Sequence, residues 1–338
     1  MEVKEIMDKQ SWNKLWKEAI GGRVYSSTIW LEAVSDAYGL ELKILGVFNG
    51  AELVGGLPLF IKKKQIIIPP FTPYNSVILK LSETKYPYKK IYRIHSIMLN
   101  LIEYLEKQGK YSQITFIHTP DIRDIRPFIW KGWRVSPLYT YVLSISNVDD
   151  LKKKISHNAR KNLKRCKKEK IYIEESEKFD ILFNLLKLTF SRRKRLAPLN
   201  YKKLRKIYET LSKRRNAKLF IAFTKEGVPI SARIITLDDD FPIAHDWVAG
   251  SDPKYFSTGG TTCLLWYIIE WLSSRGFKFL DLNGANIPSI AKFKSNFGGN
   301  LEVYFMTEFY RDTFVELKEW VKEKVKIFIK REVWRELK

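Results

Sequence analysis

The sequence is poor in cysteine and contains no long apolar run. Cys166 and Cys263 are its two cysteines, and their separation argues against a disulfide framework or a zinc site. The best candidate for a membrane span, residues 264–272, is too short and contains Glu270. Residues 1–5 have mixed charge with no apolar segment behind them, so a secretory signal is not expected. These features predict a cytoplasmic protein.

Several sequence motifs that mark cofactor chemistry are also missing. The chain has no P-loop, dinucleotide fingerprint, zinc-ligand spacing or nucleophile elbow. We therefore expect no permanently bound cofactor and no metal site. The hydrophobic fraction of 45% with 10 tryptophans is ample for packed cores, so the chain is expected to be globular.

Acidic residues are scarce relative to basic ones. Lysine and arginine number 60 against 37 aspartates and glutamates, which gives a net charge of +23 over 338 residues. Such a surface attracts phosphates, nucleic acid or anionic lipid. Residues 152–170 are the densest basic segment, and on a helix they would form either a ridge for RNA or lipid headgroups or a solvated linker. No sequence-specific recognition of DNA is expected.

The chain contains an internal repeat. The segment Leu-Ile-Glu-Tyr-Leu-x-x-x-Gly at 101–109 matches Ile-Ile-Glu-Trp-Leu-x-x-x-Gly at 268–276, and segment 45–59 matches 220–235 in the same order. Each copy predicts a hairpin, a further strand, a helix ended by Gly109 or Gly276, and a buried strand.

This order predicts an α/β (α+β) fold with two tandem domains, each a mixed, mostly antiparallel sheet flanked by helices. The predicted domains are residues 1–147 and 148–310, followed by a C-terminal amphipathic helix over 311–338. The predicted hairpin strands are 42–48 and 52–60, then 218–224 and 228–237. The predicted helices are 95–107 and 262–275, and the predicted buried strands are 113–117 and 279–283.

Residues 291–300, Ala-Lys-Phe-Lys-Ser-Asn-Phe-Gly-Gly-Asn, resemble the Phe-Lys-x-x-Phe-Gly signature of FemAB-type double-GNAT acyltransferases. Weaker agreement lies at residues 25–30, 56–59 with 70–75, 158–160, and 190–193 with Pro198. The resemblance implies transfer of an acyl or aminoacyl group to an amine or hydroxyl of a cell-envelope precursor or sugar nucleotide. The family's lysine shortly after the first-domain tryptophan is missing after Trp30, which disfavours a peptidoglycan precursor as acceptor.

Lys294 is the leading catalytic candidate, with Phe293 and Lys292 beside it as donor-binding residues. A fixed ammonium could stabilise the oxyanion of acyl transfer or hold a donor phosphate, and the alternative is a solvated loop lysine. Gly259, Gly260 and Thr261 precede a predicted helix. Glycine-rich backbone at a helix N-terminus is an anion site, although a plain capped helix explains the same residues.

Candidates for a general base are His245 and Asp246 on a predicted strand at 242–249. Alternation places their side chains on opposite faces, so at most one of them points into a cleft. The resemblance implies four acceptor contacts, which are Arg193, Arg160, Tyr74 and Trp30.

Two hypotheses from different classes remain open at this point. The first is an acyltransferase whose partner is a phosphorylated acyl donor, either acyl-CoA or aminoacyl-tRNA as co-substrate. The second is a non-catalytic protein on a decayed acyltransferase fold that binds RNA or a membrane surface. Contact with tRNA and peripheral contact with the anionic inner membrane face also remain open.

Overall fold

The computed structural model describes residues 1–81, 83–192, 200–312 and 317. The α-helices in chain order are α1 Lys9–Glu18, α2 Thr28–Tyr38, α3 Pro87–Lys107, α4 Arg126–Trp130, α5 Val148–Lys154, α6 His157–Lys168, α7 Phe179–Arg192, α8 Tyr201–Lys213, α9 Gly260–Ser274 and α10 Pro288–Ser295. The strands are β1 Glu2–Glu5, β2 Glu41–Asn49, β3 Glu52–Lys62, β4 Gln65–Ile66, β5 Ile78–Leu79, β6 Gln113–Ile117, β7 Arg134–Ser144, β8 Tyr172–Ser176, β9 Ala217–Phe223, β10 Pro229–Thr236, β11 Ile243–Ser251, β12 Phe279–Asp281 and β13 Asn300–Tyr310.

The strands form one continuous sheet in the order β1-β2-β3-β4-β6-β13-β7-β12-β11-β10-β9-β8, with β5 paired to β3. The two final strands exchange places. Strand β7 ends the first copy but pairs with β12 of the second, and β13 ends the second copy but pairs with β6 of the first. The chain boundary predicted at 147/148 therefore divides the sequence into copies but does not divide the sheet.

The predicted repeat has a structural counterpart in each copy. The hairpin β2–β3 corresponds to β9–β10, and Gly50 and Gly227, both with positive φ, form the two hairpin turns. Most strand pairs are antiparallel, and each copy contains one parallel pair, β4 with β6 and β11 with β12. The predicted mixed, mostly antiparallel α/β architecture is confirmed.

Three apolar clusters hold the sheet and helices together. One lies under α3 in the first copy, and another lies under α9 in the second. The third joins the copies: Trp12, Tyr25 and Trp30 of the first pack with Leu182 and Trp247 of the second. Because this shared cluster includes some of the largest buried side chains, its burial fixes the two copies against each other.

Two predictions differ from the structure, and a third lies almost entirely outside the described residues. Helix α3 begins at Pro87 and not at residue 95, because Pro87 fits the first helical turn and the following basic stretch faces solvent. Cys166 and Cys263 form a disulfide with their Cα atoms 6.4 Å apart, so the sequence separation was a wrong argument against pairing. The predicted helix over 311–338 lies almost entirely outside the described residues. No helix in the described part of the chain is long and apolar enough to cross a membrane.

Candidate active site

A cleft opens where β11 and β12 separate. The strands pair in parallel from Ile243 and Phe279 to His245 and Asp281, after which β12 ends while β11 continues to Ser251. A cavity of about 390 Å³ lies in this opening. Ligand-sized cavities at such a break in a sheet are typical binding sites.

The cavity walls come from eight parts of the second copy. They are α6, α7, the strands β10 and β11, the 3-10 helix at residues 253–258, the start of α9, the loop after β12, and α10. The lining residues are Asn162, Thr189, Arg233, Asp246, Trp247, Ala249, Ser251, Phe256, Gly259, Thr261, Thr262, Asn283, Ser289, Ile290, Phe293 and Lys294. Five of the predicted site residues are thereby brought together, namely Lys294, Asp246, Gly259, Thr261 and Phe293.

A β-bulge in β11 allows two successive residues of this strand to line the cavity. Ile234 pairs with Val248 and Ile235 pairs with Asp246, so Trp247 is the extra residue on its strand. Asp246 and Trp247 both line the cavity as a result. His245 instead lies fully buried between the copies, against the ring of Tyr25. Burial lowers the pKa of His245, which keeps the imidazole neutral.

The side chain of Lys294 fixes the loop after β12, which forms the wall of the cleft opposite β11. Its ammonium donates to the carbonyl oxygens of Leu282, Asn283 (2.6 Å) and Gly284 (2.8 Å), which are consecutive residues in the loop after β12. These three bonds use the three N–H groups of an ammonium. The geometry gives Lys294 a positioning role, and its predicted part in catalysis stays a prediction.

The start of α9 forms the end wall of the cavity. The N-cap of this helix is Gly259 with φ +80°, which has no side chain to cap it. The hydroxyl of Thr258 accepts from the amide of Gly260 at 3.2 Å. A Cβ atom at Gly259 would collide with the backbone of Asn162 on α6, so glycine is required by both its φ and the close approach. The first-turn residues Thr261 and Thr262 face the cavity, where the positive end of the helix dipole favours an anion. The predicted donor-binding residue Gly260 is buried against Ile230 and is not among the lining residues of the cavity.

A buried ion pair lies on the cavity floor. The guanidinium of Arg233 donates to a carboxylate oxygen of Asp246, and both side chains are almost fully buried. Within the described residues, the second oxygen of Asp246, Nε of Arg233 and Oδ1 of Asn283 are buried without a hydrogen-bond partner. Buried polar atoms of this kind mark places where substrate or ordered water binds.

A polar network lies behind the cavity, at the seam of the copies. Tyr74 donates to one carboxylate oxygen of Asp281 at 2.7 Å, and Thr140 donates to the other at 2.7 Å. Burial alone would raise the pKa of Asp281, but the adjacent imidazole of His245, Thr140 and a backbone amide lower it to about 2. Burial raises the pKa of Tyr74 well above its ordinary value. The network therefore places a fixed negative charge beneath the cleft.

The predicted acceptor residues do not gather in the cavity. Tyr74 and Trp30 are buried one layer behind it, where Trp30 packs on Trp247 with ring centroids 5.3 Å apart. Arg160 lies on the far side of α6, beside a second cavity of about 480 Å³. Lys292 is exposed on α10, outside the cavity lining. Arg193 lies outside the described residues.

In the described part of the first copy, the corresponding gap between strands is narrower. The parallel pair of this copy extends only from Gln65 and Gln113 to Ile66 and Ile114. The returning chain then fills the gap, because the Asn75 amide donates to the Ile117 carbonyl at 2.8 Å. That a phosphorylated donor, if either copy binds one, binds the second copy stays a prediction.

Sequence reasoning missed Arg233, Asn162 and Asn283. Arg233 had a usable signal, since a single arginine within the apolar run of residues 230–235 must find a buried partner. Asn162 stands in a basic helix and Asn283 in a loop, and neither has a local sequence feature that marks it.

Residues 153–295 match the family model described as an acetyltransferase (GNAT) domain. The second copy contains a GNAT domain. None of the curated proteins compared matches the chain by sequence.

Solved structures extend the likeness to both copies. FemX aligns over 90% of this chain and 97% of its own, with a TM-score of 0.66 and 14% identity. The C-terminal domain of a lysylphosphatidylglycerol synthetase from Agrobacterium fabrum, itself a tentative assignment, aligns over 89% and 91% with a TM-score of 0.56 and 9% identity. A tandem GNAT protein from the clavulanic acid biosynthesis pathway aligns over 91% and 98% with a TM-score of 0.52 and 11% identity. The chain thus has the tandem GNAT fold of FemAB-type proteins.

Proposed function

We propose that the protein is an acyltransferase whose donor binds with its phosphate groups at the start of α9 and its acyl carbonyl between β11 and β12. One observation carries the proposal: the cavity of about 390 Å³ joins the N-terminus of α9, whose N-cap is a glycine, to the point where two parallel strands separate. An anion site and a slot for an extended thioester or ester then lie in line.

The chemistry requires few side chains. The nucleophile attacks the carbonyl carbon, negative charge develops on the oxygen, and the leaving group departs with a proton. Backbone N–H groups of β11 beyond His245, where β12 no longer pairs with it, are suited to the developing charge. Asp246 is the carboxylate among the lining residues, so it is the candidate to accept the nucleophile's proton, directly or through water.

Two classes of donor are candidates. The GNAT domain favours acyl-CoA, whereas the name lysylphosphatidylglycerol synthetase, borne by a structural neighbour, favours an aminoacyl donor. We propose an amine or hydroxyl of a cell-envelope precursor or sugar nucleotide as acceptor. The cavity is the only donor site proposed, since the corresponding gap in the first copy is filled by the segment around Asn75.

The test is a charge change at the helix start. Thr261→Glu places a carboxylate where the donor phosphate is proposed to lie, while an acidic residue in the first turn of a helix preserves or raises its stability. Thr261→Gln is the matched neutral control of the same size. Binding of acyl-CoA, CoA and charged tRNA is measured for all three proteins by calorimetry or filter retention.

We expect one donor class to bind, with at least about tenfold weaker affinity in Thr261→Glu than in Thr261→Gln. Acyl-CoA and charged tRNA are distinguished by which of them shows this difference. Failure of both donors to bind the unmodified chain overturns the enzyme proposal and favours a non-catalytic binding protein. Equal affinity in the two variants overturns the placement of the phosphate.

A further inference from the structure

Six large apolar side chains are exposed together at the N-terminal end of α3 and on α4. They are exposed by between 40% and 67%, and they are Tyr86, Tyr88, Ile91, Tyr92, Ile129 and Trp130. We call this set the aromatic strip. Single exposed apolar residues are ordinary, but a contiguous group of them marks a surface that contacts something.

The strip is continuous in space. Its tyrosines form a chain, with ring centroids 5.9 Å apart between Tyr86 and Tyr88 and 6.0 Å apart between Tyr88 and Tyr92. One helical turn further on, the ring of His95 lies 4.9 Å from that of Trp130, which joins α3 to α4. Tyr88, Tyr92 and His95 share one helix face by their spacing.

The rim of the strip is positively charged. Lys85 and Lys89 lie over the ring of Tyr86 at 5.3 and 4.9 Å, and Lys90 is exposed beside them. Residues 84–94 include no acidic side chain. Glu83 precedes this stretch. The carboxylates of Asp124 and Glu52 are paired with cations, with Arg126 at 2.7 Å and with Arg93 at 3.3 Å.

We propose that the aromatic strip seats the protein on the surface of an anionic membrane. Tyrosine and tryptophan favour the membrane–water interface, aliphatic side chains enter its apolar layer, and lysines bind anionic headgroups. A single-stranded nucleic acid fits less well, since it requires a groove along its backbone and gains nothing from Ile91 or Ile129. The cavities of about 390, 480 and 190 Å³ contain no residue of the strip.

The test uses the full chain and phosphatidylcholine vesicles prepared with and without phosphatidylglycerol. Co-sedimentation gives the partition constant of the unmodified chain, of the triple variant Tyr88→Ser with Tyr92→Ser and Trp130→Ser, and of the double variant Lys89→Glu with Lys90→Glu. We expect the triple variant to lose at least about tenfold on anionic vesicles, because three interfacial anchors are removed. The charge variant is expected to lose about tenfold or more on anionic vesicles.

Matched controls come from surfaces of the second copy. Tyr172→Ser removes a tyrosine of similar exposure, and Lys213→Glu with Arg214→Glu reverses two adjacent exposed cations. Both are expected to bind vesicles as the unmodified chain does, and thermal melts verify that every variant folds.

Three results overturn the proposal. The first is no partition of the unmodified chain to anionic vesicles. The second is equal losses in the strip variants and their controls. The third is a role of the strip in binding something other than a membrane. In that case the triple variant no longer binds a poly-uridine oligonucleotide, or no longer binds a second copy of the chain, but still binds vesicles.

Discussion

The ammonium of Lys294 lies 2.6 Å from the carbonyl oxygen of Asn283, and this bond ties α10 to the loop that leaves the sheet after β12. The wall of the cleft opposite β11 is thereby fixed by groups from one short stretch of chain, residues 282–294. A lysine buried to 8% exposure and bonded to carbonyl groups shapes the site that it lines.

Lys294→Met is expected to lower the free energy of unfolding by about 2–4 kcal/mol, because backbone carbonyls near the cavity lose charged donors. The turnover rate should also fall, since the loop after β12 is no longer fixed as a wall of the cleft. Lys292→Met, on the same helix but exposed, is the matched control and should change neither quantity by much. Urea unfolding and steady-state rates measure both. Full stability with lost turnover would instead assign Lys294 a part in the chemistry.

The disulfide between Cys166 and Cys263 joins α6 to α9, beside the contact of Asn162 with Gly259. Because it closes a long loop, replacing both cysteines with alanine should cost about 2–4 kcal/mol. A reductant should lower the melting temperature of the unmodified chain to that of the double variant, and should leave the variant unchanged. An unmodified chain that melts alike with and without reductant would contradict a stabilising bridge.

The exchanged strands predict that neither half of the chain folds alone. Residues 1–147 expressed separately leave β6 without its partner β13, and residues 148–338 leave β12 without β7. Exposed strand edges of this kind aggregate. Circular dichroism of each half, alone and after co-refolding, is the measurement, and native-like spectra should return only on mixing. A cooperative melt from either half alone would show that the exchange is dispensable.

Local and repeated features of the fold were predictable from the sequence. The repeat located both hairpins and the helices before Gly109 and Gly276, because glycine turns and apolar periodicity are written in a few adjacent residues. The exchange of β7 and β13 was not predictable in this way. Within its own copy β7 could pair with β6 and β13 could pair with β12, and the choice depends on pairing across the whole sheet.

The candidate site was predictable to a similar extent. Gly259 and Lys294 stand in recognisable patterns, and strand alternation separated His245 from Asp246. The bulge at Trp247 has no sequence marker, so the sequence could not predict that two successive residues of β11 line the cavity. Trp30 and Tyr74 are buried because the two copies pack against each other. The sequence around either residue does not specify this packing.

Two buried histidines predict how stability depends on pH. Burial lowers the pKa of His118 to about 3 and also lowers that of His245, while both histidines titrate near 6.5 in the unfolded chain. The unfolded chain therefore binds more protons below pH 6.5, and stability falls as the pH falls. Asp281, with a pKa of about 2, loses its contribution only below about pH 4, so it does not act between pH 7 and 5.

His118 alone should therefore remove about 2 kcal/mol between pH 7 and pH 5, with a further loss of the same sign from His245. Urea unfolding at the two pH values measures the sum. In His118→Asn the pH-dependent loss should shrink by about 2 kcal/mol, since the substituted side chain does not titrate. His157→Asn, at an exposed position, is the control and should keep the full loss. If His118→Asn keeps it too, the histidine is protonated in the folded protein and its burial does not govern the acid sensitivity.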